Sequence, residues 1–380
     1  MKKFNIVLVL IAILLLVSSC KKEEVVVQTT KEYPITLCVN DDSKATIVPD
    51  GTQAAINFEV GDHIYLAYQG YCKNSNVQVK SIADGKINFN GRIKIATGEN
   101  DDIDNSPLFF YFLGGVHSDS NKDYDFFTEV GLESTPYHTA VCISLQNRKK
   151  PDLPYHSPVL CFGRSDQAFS TDNKEYKTRL KNKCSLVKYS IVQNDKGEEI
   201  PKDARVYIQG LNNVVEVDFK VAHKFYNNGN YNGDTTSERY PGCDRDGFRY
   251  VKRKGTIQAK CSPTGNEMKI TNIIIPNRDE NNECYSILLP QENVGKGKGN
   301  ELFGYYFKKD KDGNYITDAN GKCVPTYLKV HFPYDNVVTN KYYECTIEVD
   351  EDQEAAHHPD IIDYPYDAKP LTKLLEMSMA

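Results

Sequence analysis

From Ile56 to Tyr68 the chain alternates. Ile56, Phe58 and Val60, then Ile64, Leu66 and Tyr68, are separated mostly by polar or small residues, and Gly61-Asp62 divides the two runs. A two-residue period puts alternate side chains on one face of a pleated strand, so the stretch predicts two strands joined by a turn. The device recurs at Val77 and Val79, at a turn of Asp84-Gly85, at Ile87 and Phe89, and later at Ile93 and Ile95. Asp-Gly favours tight hairpins because Gly accepts positive φ and Asp tolerates it. A first strand lies near "YPITLCV" (33–39), and "LFFYFLGG" (108–115) and "HTAVCISL" (138–145) are others. The run "LFFYFLGG" is apolar enough to predict deep burial.

The stretch "SDQAFSTDNKEYKTRLKN" is polar and has no strong strand period, which places a domain change around residues 165–181. Strand-like runs restart with "CSLVKYSIVQ", "ARVYIQGL" and "VVEVDFKV". A polar Gly/Asn-rich loop follows at 226–247, then "MKITNIIIP", "CYSILLPQ", "ELFGYYFKK", "TYLKVHF" and "KYYECTIEV". Many short strands without a long amphipathic helix predict an all-β fold built of β-sandwiches. The 25 Tyr and 16 Phe, with no Trp, suit pleated, half-buried surfaces. A chain of 380 residues suggests two domains.

The amino terminus changes the picture. Lys2 and Lys3 precede an apolar segment, Phe4 to Val17, shorter than the roughly 20 residues of a spanning helix. This is the pattern of a secretory signal. Val17-Ser18-Ser19-Cys20 resembles a bacterial lipobox, which predicts a signal peptide at 1–19, lipidation of Cys20 and a lipid-anchored tether at 20–31. The alternative is an ordinary signal peptide with an incidental Cys. With 46 basic against 52 acidic residues, a net charge of −6 does not favour nonspecific nucleic-acid binding.

Candidate chemistry is sparse. The ten other cysteines contain no CxxC pair and no zinc-like cluster, so most read as small buried core residues, with disulfides left open. Cys345, for example, shares a strand face with Ile347 and Val349. No stretch reads GxSxG, HExxH, GxGxxG or GxxxxGK[ST]. His357-His358, beside Pro359, reads as a solvated turn. In "DKDGNY" (310–315) Gly313 is fourth, where a calcium loop needs Gly sixth and a closing Glu, so a hairpin turn is expected. No catalytic residue, metal or cofactor is assigned, and an enzyme is not expected. Tyr226 and Tyr231, in "KFYNNGNYNG", are the candidates for rings that stack on sugars.

Taken together, "INFEVGDHIYLAY", "DGKINFNGRI" and "LFFYFLGG" resemble the first domain of the fimbrillin-like lipoproteins of Bacteroidetes, the family of major and minor fimbrial subunits. "HSPVLCFG" followed by "KNKCSLVKYSIV" resembles that family's domain transition, and "ARVYIQGL" and "CYSILLPQ" resemble its later strands. The chain departs from the family pattern at Phe58, where the aromatic before the Gly-Asp turn is often Trp, and at Lys183-Cys184, where a characteristic His is missing. The segment from 351 to 380 is not a clean last strand either. The resemblance implies two tandem, transthyretin-like Greek-key β-sandwiches, at 32–172 and 173–380. It implies a lipid-anchored subunit at the outer-membrane surface or in a fimbrium. Other fimbrial subunits, joined by strand addition, and host or bacterial surface ligands are its implied partners.

Stalk subunits of the family lose an N-terminal segment to proteolysis, in some relatives after an Arg. No Arg precedes Arg92 here. Either a Lys-directed cut at Lys31 or Lys44 replaces it, or the subunit keeps its lipid and serves as tip, anchor or accessory. The competing expectation is a surface glycan-binding lipoprotein. In the tail, Leu371, Leu374 and Leu375 would line one face of a short helix.

Overall fold

The computed structural model describes residues 30–39, 48–50, 53–55, 60, 63–72, 77–83, 86–96, 106–113, 137–143, 160–227, 237, 241–252, 254–257, 268–271, 273–278, 283–296 and 301–352. The expected signal peptide, Cys20, Lys44, Ile56, Phe58, Tyr231, the His357-His358 pair and the Leu-rich tail lie outside them.

The described residues are all-β with one short helix. They open with β1 (Thr30–Val39) and a small hairpin, β2 (Val48–Asp50) with β3 (Gln53–Ala55). Then come β4 (His63–Tyr68), β5 (Tyr71–Cys72), β6 (Val77–Ala83), β7 (Lys86–Ala96) and β8 (Pro107–Leu113). β9 (His138–Cys142), β10 (Leu160–Ala168), β11 (Glu175–Thr178) and β12 (Lys181–Asn182) follow. The first sheet runs β11-β1-β7-β6-β4-β8-β10-β12, with β5 beside β4. β11 pairs in parallel with β1 and, through Thr178 and Ser165, antiparallel with β10. The strands therefore form a closed ring, which removes the open edges that invite pairing.

Alternation directs its interior. Ile35, Leu37 and Val39, Ile64, Leu66 and Tyr68, Val77 and Val79, and Ile87, Phe89 and Ile93 are buried. Val60, expected among them, sits in the turn before β4 and is 67% exposed. β8 is buried from Leu108 to Leu113. Since successive side chains point to opposite faces, both of its faces are covered.

The polar stretch at 165–181 is not a plain linker: β10 extends into it, and β11 and β12 lie within or next to it. Tyr176 and Thr178 are buried and alternate with exposed Glu175 and Lys177. The period covers only four residues, too short to stand out among polar neighbours.

The remaining strands are β13 (Ser185–Ile191), β14 (Tyr207–Gln209), β15 (Val214–Asp218), β16 (Phe248–Val251), β17 (Lys254–Ile257) and β18 (Met268–Thr271). β19 (Ile273–Ile274), β20 (Asn277–Arg278), β21 (Glu283–Leu288), β22 (Phe303–Phe307), β23 (Pro325–His331) and β24 (Tyr342–Val349) complete the set. Eight form a second sheet in the order β19-β14-β22-β23-β24-β13-β21-β20. Its two edge strands, β19 and β20, are one segment separated by Ile275 and Pro276. That segment pairs with β14 on one side and β21 on the other. A strand that changes partners at a bend is the usual corner of a folded-over sheet. A three-stranded sheet, β16-β15-β9, takes one strand from before position 172 and two from after it.

The run "VVEVDFKV" reads as a strand throughout, but after β15 it becomes α1 (Phe219–Asn227). Asp218 Oδ1 accepts the Lys220 N–H at 2.9 Å, an N-cap bond that starts the helix. Phe219, Val221 and Ala222 are buried while Lys220 and Lys224 face solvent. Alternating Val-Asp-Phe-Lys-Val fits a strand equally well over so short a stretch, which hid the change.

Among the described residues one turn is used four times. In Asn194–Glu198, Asp244–Phe248, Asp310–Asn314 and Asp318–Lys322, the first side chain's Oδ1 accepts backbone N–H groups two and four residues on, at 2.8–3.1 Å. The fourth residue is Gly197, Gly247, Gly313 or Gly321, each with positive φ. "DKDGNY" thus holds the turn expected of it.

Among the described cysteines no disulfide occurs. Cys161, Cys184, Cys243, Cys284 and Cys345 are buried free thiols, and Cys38 and Cys323 are partly exposed. Cys284 and Cys345 flank Tyr189 from the neighbouring strands β21 and β24.

Candidate functional site

Two features stand out, one in the backbone and one in the side chains. The first is the seat of β1, which lies between β11 and β7. Its Ile35, Leu37 and Val39 are at most 3% exposed. Across its outer face Arg92 Nη1 meets Glu32 Oε2 at 3.0 Å, and the Cys38 thiol donates to Asn88 Oδ1 at 3.3 Å. Without β1, the backbone groups of β7 and β11 would lose their partners along an apolar slot. Lys31 is exposed near the start of β1.

The second feature is a buried cluster around Lys183, between β12 and β13. Its backbone N–H donates to Leu160 O at 2.7 Å, fixing where the side chain starts. Nζ donates to Asp244 Oδ2 at 2.8 Å and to Asp246 Oδ2 at 2.6 Å. The side chains of Lys183 and Asp246 are 9% and 3% exposed, that of Asp244 39%. Nζ also stands 5.0 Å from the Phe248 ring centre and 5.7 Å from that of Phe162. Both carboxylates come from the turn at 244–248. Its backbone bonds to Asp244 Oδ1 leave Asp244 Oδ2 free to face the lysine.

Tyr226 closes the cluster. Its hydroxyl donates to Asp246 Oδ1 at 2.6 Å, its ring stacks on Phe162 at 6.2 Å, and the Arg164 guanidinium lies 4.6 Å from its centre. Burial, then the Asp246 carboxylate it bonds, hold its hydroxyl well above the usual tyrosine range. Tyr111 packs beside it and contacts Phe162, Phe219 and Phe248. Its hydroxyl is buried without a hydrogen-bond partner; burial and nearby Asp246 and Asp244 push it up as well. Removing one member of a buried ion pair costs about 3–5 kcal/mol because the other is left uncompensated. The cluster joins the end of the first sheet to the turn that leads into β16. Among the described residues no group of His, Cys, Asp or Glu is arranged to hold a metal ion.

Of the residues singled out in the sequence, Tyr226 lies on the last turn of α1 rather than in a loop, with both ring and hydroxyl engaged by the protein. Lys31 lies in β1, distant in sequence from this cluster. Cys20, Lys44 and Tyr231 lie outside the described residues. Lys183, Asp244 and Asp246 were not singled out as a site. The available signal was the turn signature "DRDG", which recurs as "NDKG", "DKDG" and "DANG".

No family model and no curated protein matches the chain. Among solved structures it is similar to a candidate cell adhesion protein of Bacteroides uniformis, with a TM-score of 0.39 and 11% identity over 84% of this chain and 93% of that one. A candidate cell adhesion protein of Bacteroides ovatus gives 0.38 and 12% over 89% and 99%. A fimbrial assembly protein of Parabacteroides distasonis gives 0.32 and 8% over 86% and 98%. Likeness at these scores carries no weight for fold or function; both rest on the chain's own residues.

Proposed function

We propose that the chain is a cell-surface, fimbrillin-like subunit, structural or adhesive, held at the outer membrane by lipid on Cys20. The observation that carries this reading is β1. The first described strand after the lipobox is seated between β11 and β7 and buries three apolar side chains. Proteolytic loss of such a strand exposes unpaired backbone and an apolar slot, and a strand from a neighbouring subunit satisfies both.

The seat of β1 separates the two expected cleavage sites. A cut at Lys31 leaves Glu32 to Val39 in the sheet, whereas a cut at Lys44 severs β1 from the rest of the chain. Lys44 is therefore the processing site of this proposal if the subunit is a stalk unit. In the tail, Pro365 and Pro370 each remove a backbone donor, which favours a tip, anchor or accessory role over a repeating one. The division into two sandwich domains, expected at 32–172 and 173–380, belongs to the same proposal, with the boundary moved beyond Asn182 because β11 and β12 pair within the first sheet. The competing glycan-binding reading draws no support from Tyr226, whose ring is already packed.

The test is to cut the lipid-free mature protein at Lys44, with Lys44→Ala as the uncut control. Chain-to-chain polymers or incorporation into surface filaments are then sought. Expected is loss of β1 with strand-linked assembly in the cut protein only. Monomers under every processing condition, with no trace in filaments, would sink the proposal.

A further inference from the structure

We infer that Lys183 and Asp246 are placed to join through an intramolecular amide bond formed by the folded protein itself. The inference does not depend on the fimbrial reading. Three geometric conditions for such a condensation meet here. The amine touches the carboxylate it would attack, at 2.6 Å, with both side chains nearly dry. Aromatic rings of Phe162 and Phe248 wall the amine. A second carboxylate, Asp244, also contacts the amine at 2.8 Å and reaches solvent on its other side.

The atoms balance without any other reactant. Asp244 Oδ2 takes a proton from the Lys183 ammonium, and the freed Nζ lone pair attacks the Asp246 carboxyl carbon. Tyr226 donates to Asp246 Oδ1, which polarises that carbonyl and remains as the amide oxygen. The Asp246 Oδ2–carbon bond breaks. That oxygen leaves as water, carrying the proton relayed by Asp244 and a second one from Nζ. Ammonium plus carboxylate becomes amide plus water, with no net change in charge and no oxidant. Loss of water into solvent from a site that excludes it favours the amide.

Other buried pairs lack part of this. Arg249 meets the fully buried Glu216 at 3.2 Å, but a guanidinium is not a competent nucleophile. Lys188 and Glu283 are 23% and 31% exposed, so water competes for both. A Lys183–Asp246 bond would tie the β12–β13 junction to the turn before β16 and close a 63-residue separation in the chain. Tension on the subunit could then not pull those segments apart.

The experiment is mass spectrometry of a denatured proteolytic digest of the full-length protein. Expected is a branched peptide that joins the Lys183 segment to the Asp246 segment, lighter than the two together by one water. No such link is expected between Lys188 and Glu283. Lys183→Met should abolish the branched peptide. Asp244→Asn should abolish it while the protein stays folded by circular dichroism, because Asn194 builds the same turn with an amide. Only linear Lys183 and Asp246 peptides from folded wild-type protein would overturn the inference. The branched peptide persisting in Asp244→Asn would overturn the proton path assigned to Asp244.

Discussion

Ser165 and Thr178 face one another across β10 and β11, and that single bridge closes the first sheet on itself. Both side chains serve the backbone around it. Ser165 Oγ accepts the Leu108 N–H at 2.9 Å, and Thr178 Oγ1 donates to Arg164 O at 2.7 Å. The closure needs a glycine close by. A Cβ on Gly163 would lie 2.6 Å from Leu180 Cδ2 and 2.7 Å from Thr178 Oγ1.

Gly163→Ala should therefore destabilise by about 1–3 kcal/mol through overpacking. Thr178→Val, which keeps the shape and removes the donor, should cost about 0.5–1.5 kcal/mol by removing a part-buried hydrogen bond to the Arg164 carbonyl. Denaturant unfolding measures both; two neutral substitutions would mean that the closure does not hold the sheet.

The four repeated turns allow steric and conformational costs to be separated. Gly313 has φ +84 with open space around its missing Cβ, whereas a Cβ on Gly247, at φ +88, would meet Asp218 O at 2.3 Å. Gly313→Ala should cost about 1–2 kcal/mol, the penalty of a left-handed residue. Gly247→Ala should cost clearly more, since backbone must move. Equal losses in thermal unfolding would remove the steric argument.

In β8, Phe110 is fully buried. Phe110→Ala should cost about 3–5 kcal/mol, a large part of a domain's stability. A loss below about 1 kcal/mol in denaturant unfolding would mean that β8 is not core.

Acid should weaken the fold at identifiable sites. The Asn314 N–H bond holds the Asp310 carboxyl below its usual range; the Lys322 N–H does the same for Asp318, and the Lys188 ammonium for Glu283. A carboxyl lowered on folding contributes stability above its unfolded pKa, about 3.9–4.3, and loses it as pH falls through the folded value. Asp310→Asn combined with Asp318→Asn should leave the turns in place, as Asn194 does in its own. Loss of stability below about pH 4 should then be shallower than in wild type. An unchanged acid limb in pH-dependent denaturation would refute this.

Burial pushes the Cys184 and Cys243 thiols up to about 12 and raises that of Cys345 further. Maleimide at neutral pH should leave these three unlabelled in the native protein and label them after unfolding, because the thiolate is the reactive form. Among the described cysteines, partly exposed Cys38 and Cys323 should react before these three. Rapid native labelling of Cys184 would contradict its position.

Local pattern determined where most strands lie and which side of each turns inward. Val77 and Val79, Ile87 and Phe89, and Cys345, Ile347 and Val349 could be placed from the sequence because a two-residue period is written in consecutive residues. The turn at Asp310–Asn314 was legible for the same reason, since its bonds and its glycine lie within five residues. Tertiary structure alone decided that β9 pairs with β15, that β11 closes on β10, and that one segment edges both sides of the second sheet. It also put Tyr226 on a helix and brought Lys183 to Asp246. Side-chain alternation encodes a face but not a neighbour. Neighbours follow from strand register over long separations, and a polar cluster such as Lys183 with Asp244 and Asp246 exists only once distant backbones have been set side by side.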